Sequence, residues 1–533
     1  MKSSNAAGGL NHGLHEEFLF TPIRAHERPK LLGGVDDDTG GSSSSLSARQ
    51  YSSFLGESGD KPFLVLWCSF VEGVDRGLSL PLLFTLKNRY ALSQFAASAV
   101  IAVSLAPWMT KPLLGLVTDT VPIFQVRRKY YILGSAGINA AALSLIAYSQ
   151  AHLVGGILVP LSLMVLRTFS RAMIDSAAQG LLLEDCREEQ TVGSDQARTT
   201  VMVSRFQASH RLGQILSVCS SAFFLSQGTL TPIYLSIAAL HVGTVLFAWS
   251  TQESPVNTPH PTEALMSRLP EKLNQLTLAV ASSQPFRNVL EYAFLSVAIP
   301  SFEAPMTYYL LDARHFSLSD ISFVNIVMTS GSLIAPVVYA HFFKTSKYST
   351  LMTALTVASV PASLTPLLIT TGFAAHHNLN EVAIASFSAF TVALINDLQI
   401  LPAHVLVAQL APRGLEGSSL SVLTLVLDAG RVISAGISST LPMIVGAAAP
   451  KYKRMSLYIA LCTLFNVGPI SAIDGFDVAV EPIKIDEQDR DIPTLGGVIK
   501  ELQRMDPASP MSLESDVSPT FQVNIQTSPP QTN

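Results

Sequence analysis

The chain has 533 residues, 48% of them hydrophobic and only 14% charged, against roughly 25% charged in soluble globular proteins, which argues against a water-soluble enzyme. Residues 1–61 hold 14 of the charges and residues 474–533 hold 15, leaving 44 across the 412 residues between, so the middle reads as lipid-embedded. Net charge is −2 in the amino-terminal tail, −7 in the carboxy-terminal tail and about +4 between them, too weakly basic to suggest nucleic-acid binding.

From the amino terminus, residues 1–61 are polar and lack a charged-then-apolar secretory start, so the first apolar span is expected to direct membrane insertion. This tail is expected to be cytoplasmic and disordered, with a serine run from Ser42 to Ser45 and an acidic dileucine spacing from Glu27 to Leu31 and Leu32, a six-residue pattern that arises readily by chance. Twelve apolar spans long enough for a hydrocarbon core of about 30 Å follow. Their approximate limits are 62–86, 94–117, 130–149, 155–181, 199–226, 229–249, 286–311, 320–343, 350–371, 381–410, 417–446 and 454–473. Connection 250–285 is the longest between spans, carries Pro255, Pro259, Pro261 and Pro270 and a short amphipathic piece around Glu271 to Leu278, and divides the core into halves 62–249 and 286–473. The acidic segment 474–533, with Ser-Pro pairs at Ser509, Ser518 and Ser528, is expected to be a second disordered cytoplasmic tail. The predicted fold class is therefore an all-α membrane protein with twelve transmembrane helices in two six-helix halves.

Loop charge orients these spans. With both tails inside, ten basic residues fall in inner loops, among them Arg127, Arg128 and Lys129, and six in outer loops, among them Lys87, Arg89 and Lys451. The end of span 1, Pro81 to Ser93, echoes the end of span 7, Pro305 to Ser319, as a parallel two-half repeat would.

A charge at mid-bilayer costs about 2.5–3.5 kcal/mol even on the lenient insertion scale, so each needs a partner or a wet cavity. Such groups occur on span 1 (Glu72, Asp75, Arg76), span 4 (Arg167, Arg171, Asp175), span 5 (Arg205, Arg211), span 7 (Glu303), span 10 (Asp397) and span 11 (Asp428, Arg431), whereas the interiors of spans 3, 6, 9 and 12 carry none. That period of three is what nested three-helix repeats around a central cavity produce, with the third helices facing lipid. Helical spacing pairs Glu72 with Arg76, Arg171 with Asp175, and Asp428 with Arg431. Arg167, Glu303 and Asp397 have no partner on their own spans and stand out as functional candidates. The guanidinium groups of spans 4 and 5 suit a carboxylate or phosphate. Glu303 beside Pro305, and Glu72 or Asp75 before Pro81, are candidate proton carriers, or else they hydrogen-bond backbone freed by the proline.

No phosphate cradle of the Gly-x-x-x-x-Gly-Lys-Ser/Thr kind and no His-Glu-x-x-His or Gly-x-Ser-x-Gly element occurs, so neither ATP hydrolysis by that route nor enzyme chemistry is spelled out. Cys68, Cys186, Cys219 and Cys462 lack paired spacing, and neither a metal nor a cofactor is expected.

Between spans 2 and 3, Lys111-Pro-Leu-Leu-Gly115-Leu-Val-Thr-Asp119-Thr-Val-Pro122-Ile-Phe-Gln-Val-Arg127-Arg128-Lys129 resembles the inner-loop latch of major facilitators, and in its lengthened form resembles the folate–biopterin transporter family. Leu401-Pro402 through Pro412-Arg-Gly414-Leu-Glu416-Gly417-Ser418, Ile299-Pro300-Ser-Phe302-Glu-Ala-Pro-Met306-Thr-Tyr308, and Asp175 through Glu184 are similar to further segments of that family. The resemblance covers 62–473, with departures at Arg171, at Asp428 and at Ser418, where threonine is usual.

The resemblance implies a major facilitator fold, a lipid-bilayer setting and secondary active transport of a folate- or pterin-type organic anion by alternating access, with proton coupling as an added expectation. Asp75, Arg76, Arg167, Arg171, Arg205, Phe302, Tyr308 and Asp397 are the expected substrate-binding residues. Arginines would take the glutamate carboxylates of folate, and Phe302 and Tyr308 would stack on the pterin. Glu72, Asp75 and Glu303 are the proton-coupling candidates, and Lys111, Gly115, Asp119, Arg127, Arg128 and Lys129 form the conformational latch. A monomer in the plasma membrane is the expectation, with an internal organelle membrane as alternative. Transport of another solute such as S-adenosylmethionine, or a receptor that kept the fold and lost transport, stays open.

Overall fold

In the computed structural model the described residues are 60–78, 103–152, 156–188, 195–226, 231–253, 255, 268–448 and 452–473, with isolated positions 90 and 100. Both tails with their dileucine and Ser-Pro sites, the Pro81–Ser93 echo, Lys87, Arg89, Lys451 and the outer half of span 2 lie outside them.

Hydrocarbon offers the backbone no hydrogen-bond partner, so apolar spans close their bonds internally as helices. The helices are α1 (Asp60–Arg76), α2 (Lys111–Thr120, preceded by a 3₁₀ turn Ala106–Thr110), α3 (Lys129–His152), α4 (Leu158–Glu188), α5 (Asp195–Ser226) and α6 (Thr231–Ser250). After the connection come α7 (Leu269–Ser282), α8 (Gln284–Val297), α9 (Glu303–Asp312), α10 (Leu318–Phe342), α11 (Tyr348–Leu364) and the short α12 (Leu367–Thr370) and α13 (Phe373–His376). Then follow α14 (Glu381–Leu410), α15 (Glu416–Val445) and α16 (Met455–Phe465), with a 3₁₀ turn at Gly468–Ala472. Seven of the described helical segments are long and apolar enough to cross a membrane on length and hydropathy alone. At 31 and 32 residues, α4 and α5 fall outside that set through their polar and charged content, not their length.

Local signals set several ends. Ser317 and Asp320 form a reciprocal capping box at the start of α10, and Asn380 caps α14. Spans 7, 9 and 12, expected as single helices, are interrupted. Pro300 falls in the break between α8 and α9, Pro366 between α11 and α12, and Pro469 after α16. Proline lacks the N–H that would continue the ladder and biases the residue before it away from helix. The amphipathic piece expected at 271–278 is α7, 14 residues long, with Leu276 and Ala279 buried.

In the amino-terminal half α1 packs on α5, and α3 packs on both α4 and α6; in the carboxy-terminal half α10 packs on α14. The α1–α5 crossing is close because Gly73, Gly77 and Gly213 face it: a Cβ at Gly73 would stand 1.9 Å from the His210 carbonyl oxygen, and one at Gly213 2.0 Å from that of Phe70. Contact between the halves is heaviest where α5 meets α10 and α2 meets α15, with α4 on α15 and α5 on α14 beside them. Counting spans, the heaviest two are 5 with 8 and 2 with 11, a pairing that a two-fold exchange of the halves maps onto itself.

The buried clusters reveal the shape. One apolar core joins the halves at the end of the bundle that carries the start of α1, from Leu64 and Val65 through Leu181, Phe286 and Leu406 to Leu423. At the opposite ends of the helices there are two separate cores, one around Val74, Leu143 and Ile237 and one around Met306, Tyr309 and Ile459. The bundle is thus closed at the end that carries the start of α1, the end that loop charge assigns to the cytoplasm, and parted at the other.

Candidate functional site

A cavity of about 500 Å³ occupies the outer half, between α8, α9, α10, α11, α14 and α15, with Arg76, Arg211 and Gln214 contributed across the midline by α1 and α5. That volume is in the range of small-molecule sites. Its wall alternates apolar side chains such as Phe302 and Met306 with neutral hydrogen-bonding groups such as Asn325, Asn396 and Gln399. The break in the seventh span lies in this wall, and its freed backbone is satisfied locally. Ser438 Oγ accepts from the Ser301 N–H at 2.7 Å, the Ser301 carbonyl accepts from Tyr458 Oη at 2.8 Å, and Ser434 Oγ donates to the Ile299 carbonyl.

At its deep end the cavity meets a polar chamber of about 70 Å³, and Arg76, Arg211, Asp397, Ile400 and Arg431 line both. Arg211 Nη2 donates to Asp397 Oδ1 at 2.6 Å and Arg211 Nη1 to Gln214 Oε1 at 2.9 Å. Arg431 Nη1 donates to Asp428 Oδ1 at 2.6 Å, whose other oxygen accepts from Trp108 Nε1 at 2.8 Å. Arg76 approaches Glu72 only to 3.7 Å. The Arg76 and Arg431 side chains remain 37% and 45% exposed, so both hold guanidinium donors open to the cavity.

Behind this floor the amino-terminal half contains an enclosed ion network. Asp75, 2% exposed, accepts from Arg167 Nη2 at 2.6 Å and Asn139 Nδ2 at 3.4 Å, and lies 3.0 Å from both the Arg171 Nε and His241 Nε2 atoms. Arg171 also holds Glu72 through two bonds, at 2.6 and 3.2 Å. Lys111 pairs with Asp175 and lies over the Trp108 ring. Charges that cost several kcal/mol singly are here compensated pairwise.

The closure at the end carrying the start of α1 is built on Asp119. In the last turn of α2 its charge opposes the dipole of its own helix, but it sits against the first turn of α15, where an anion is favoured. Its carboxylate accepts from the backbone N–H of Gly417 and Ser418 at 3.3 and 2.9 Å, from Ser418 Oγ at 2.7 Å and from Arg128 Nη2 at 2.8 Å. Glycines permit the approach: a Cβ on Gly115 would come within 3.0 Å of Gly417 and Ser418 backbone. Arg128, fully buried, also reaches Glu184 at 2.5 Å and Glu416 at 3.4 Å. Burial opposes its charge, but Asp119, Glu184 and Glu416 outweigh that and hold the guanidinium above its ordinary value. A tight turn aims it: Ile123 and Val126 exchange both backbone bonds while Phe124 and Gln125 take positive φ of 49° and 64°, unusual for side chains of that size. Lys129 ties the turn to the end of α6 through the Trp249 and Thr251 carbonyls, and Arg127 lies 3.8 Å from Glu184.

The expected residues therefore divide. Arg76, Asp397, Phe302 and Glu303 line the large cavity, and Glu72 the small chamber. Asp75, Arg167 and Arg171 come together, but behind the wall, and Arg167, read as unpaired, is bound to Asp75 from the neighbouring helix. Arg171 and Asp175, read as a pair, turn to Glu72 with Asp75 and to Lys111 respectively. Arg205 and Tyr308 are exposed and away from the cavity lining, because their helices present other faces inward. Of the latch residues, Gly115, Asp119, Arg127, Arg128 and Lys129 meet at the closure, whereas Lys111 belongs to the embedded network. Asn139 and His241 lie on spans 3 and 6, read as lipid-facing from their lack of charge. On α5 it is Arg211, one of the intramembrane charges but not among the expected binding residues, that reaches the cavity in place of Arg205, and Gln207, Arg211 and Gln214 form a polar stripe at i, i+4, i+7. Glu184 and Glu416 join the closure without having been among the expected latch residues.

A family model described as the BT1 family matches residues 72–475. A folate-biopterin transporter from Synechocystis is 26% identical over 416 residues, covering 76% of this chain and 79% of its own. Among solved structures, a bacterial homologue of the iron transporter ferroportin in an outward-facing state superposes with a TM-score of 0.57 at 14% identity, covering 78% of this chain and 99% of its own. A proton:xylose symporter of the major facilitator superfamily superposes with a TM-score of 0.53 at 12% identity, covering 77% and 94%.

Proposed function

The chain belongs to the BT1 family, the folate–biopterin transporters of the major facilitator superfamily, and from that premise we propose that it carries a folate- or pterin-type organic anion by proton-coupled alternating access. It is a multi-pass membrane transporter of a small molecule, not an enzyme. The observation that carries the substrate reading is the cavity floor, where Arg76, Arg211 and Arg431 converge beneath walls of neutral amides, hydroxyls and Phe302. Guanidinium forks match carboxylates through paired hydrogen bonds, while the amide-rich wall suits the polar edge of a pterin and Phe302 its face. A cationic solute such as S-adenosylmethionine meets repulsion from the same floor.

Glu303 is the proton site in this reading. It faces the cavity, sits in the first turn of α9 and has no ion-pair partner among the described residues. The protein works as a monomer in the plasma membrane. The decisive measurement is uptake of labelled folate, biopterin and S-adenosylmethionine into proteoliposomes with and without an imposed pH gradient. Folate or biopterin uptake that rises with the gradient, and loses that rise but keeps exchange in Glu303→Gln, is the expected result. Gradient-insensitive uptake removes the proton, and S-adenosylmethionine as preferred solute removes the anion.

A further inference from the structure

Two ion pairs that join the halves lie among the described residues: Arg128 with Glu416 at the cytoplasmic closure, and Arg211 with Asp397 near the midpoint of α5 and α14. The second stands where the cavity passes into the inner chamber, since both residues line both spaces. The other two floor arginines pair with acids of their own helices, Arg76 with Glu72 and Arg431 with Asp428, so each moves as one body with its half. Rocking the halves leaves those pairs intact and must stretch Arg211–Asp397.

We infer that Arg211 and Asp397 form a charge lock between the halves, opened when a substrate carboxylate takes the place of Asp397 on Arg211. Three observations fit exchange at this pair. Neither side chain is sealed, at 22% and 16% exposed. Only one oxygen of Asp397 is engaged, while Oδ2 is enclosed without a hydrogen-bond partner, so it forfeits a single bond on release. Arg431 and Arg76 line the same junction and can receive the freed carboxylate. A ligand shifts a two-state equilibrium only through its differential affinity. Here that difference is the free Arg211 of the unlocked form. The empty carrier is held closed to the cytoplasm and the loaded one is released.

This inference rests on the anionic-substrate reading, so the test has an arm with substrate and an arm without. The full-length protein in liposomes is titrated with labelled folate and with biopterin, which lacks the glutamate carboxylates. Asp397→Asn removes the competitor and is expected to tighten folate binding about tenfold, with biopterin unchanged; Arg211→Gln is expected to weaken folate by at least as much, again sparing biopterin. A purely structural pair would alter the two ligands equally. For the second arm, Ser421→Cys reports cytoplasmic opening in a Cys219→Ser background, because Ser421 is buried and bonds Ser176 across the halves at 3.2 Å. Asp397→Asn alone is expected to raise its labelling by a thiol reagent about tenfold. Wild-type ligand preference together with wild-type labelling overturns the lock. If the unaltered protein binds neither ligand, the substrate reading falls and labelling alone decides: unchanged labelling overturns the lock, faster labelling upholds it.

Discussion

At the cavity floor the arginines differ in how much of their donor capacity is already used. Arg431 makes one bond to Asp428 and is 45% exposed, leaving several N–H groups for a ligand. Arg167 and Arg171, two turns and one turn before Asp175, were the more conspicuous in the sequence, yet their forks close on Glu72 and Asp75. Spacing of i, i+4 says that two side chains on a helix can meet; a neighbouring helix carrying two acids offers a better alternative, and that is invisible in a single span. Arg431→Gln is therefore expected to raise the KM for an anionic substrate by about tenfold or more, the loss of one charge-assisted hydrogen bond being worth about 1.5–3 kcal/mol. Arg205→Gln, on an exposed face, should leave KM within about twofold. Uptake kinetics on matched amounts of reconstituted protein check the pair, and equal effects would show that the floor assignment is wrong.

Among the elements, the turn between α2 and α3 with the start of α15 carries the closure, and most of it was legible. Gly115, Asp119 and the basic cluster could be read as a unit because a glycine, a helix-end acid and a nearby arginine make sense only against a second helix. What remained hidden was the identity of that helix, since Glu416 and Ser418 lie almost three hundred residues away. The broken spans were half legible: Pro300 and Pro366 stand in the sequence, but whether a proline kinks a helix or ends it depends on whether serines such as Ser434 and Ser438 satisfy the freed backbone. Glu184, beyond the spanning part of α4, gives the closure a pH dependence. Burial pushes its carboxyl up, Arg128 pulls it down, Glu253 and Glu416 push it up again, and the net direction is upward. A cytoplasm-open form that exposes Glu184 to water returns it to the ordinary glutamate value. In the window between that value and the raised one, the closed form holds a proton that the open form has released, so acidification through it favours closure and alkalinisation favours opening. Thiol labelling at Ser421→Cys across this window should fall as pH falls, and Glu184→Gln should flatten the dependence. Labelling that rises on acidification would reverse the assignment.

For the whole molecule, one shared core at the closed end and two separate cores at the other imply that transport exchanges which end is shared. The interface to be opened is held by polar contacts as much as by apolar ones: Asp119 with Ser418, Ser176 with Ser421, and Leu116 with Leu276 and Leu415 beneath the linker helix. Such an interface separates at modest cost because water can satisfy each polar group once it opens, whereas a wholly apolar seam would not part readily. Ser176 and Ser421 place their hydroxyl oxygens 3.2 Å apart on α4 and α15, one from each half, close enough for a pair of cysteines to bridge. The double variant Ser176→Cys with Ser421→Cys, once oxidised, should fix the outward-facing form. Net uptake would then be lost while substrate binding from outside survives, and reduction should restore uptake. Loss of outside binding on oxidation would mean that the cavity and the seam are one rigid unit, and continued uptake across the bridge would mean that the halves do not part along α4 and α15.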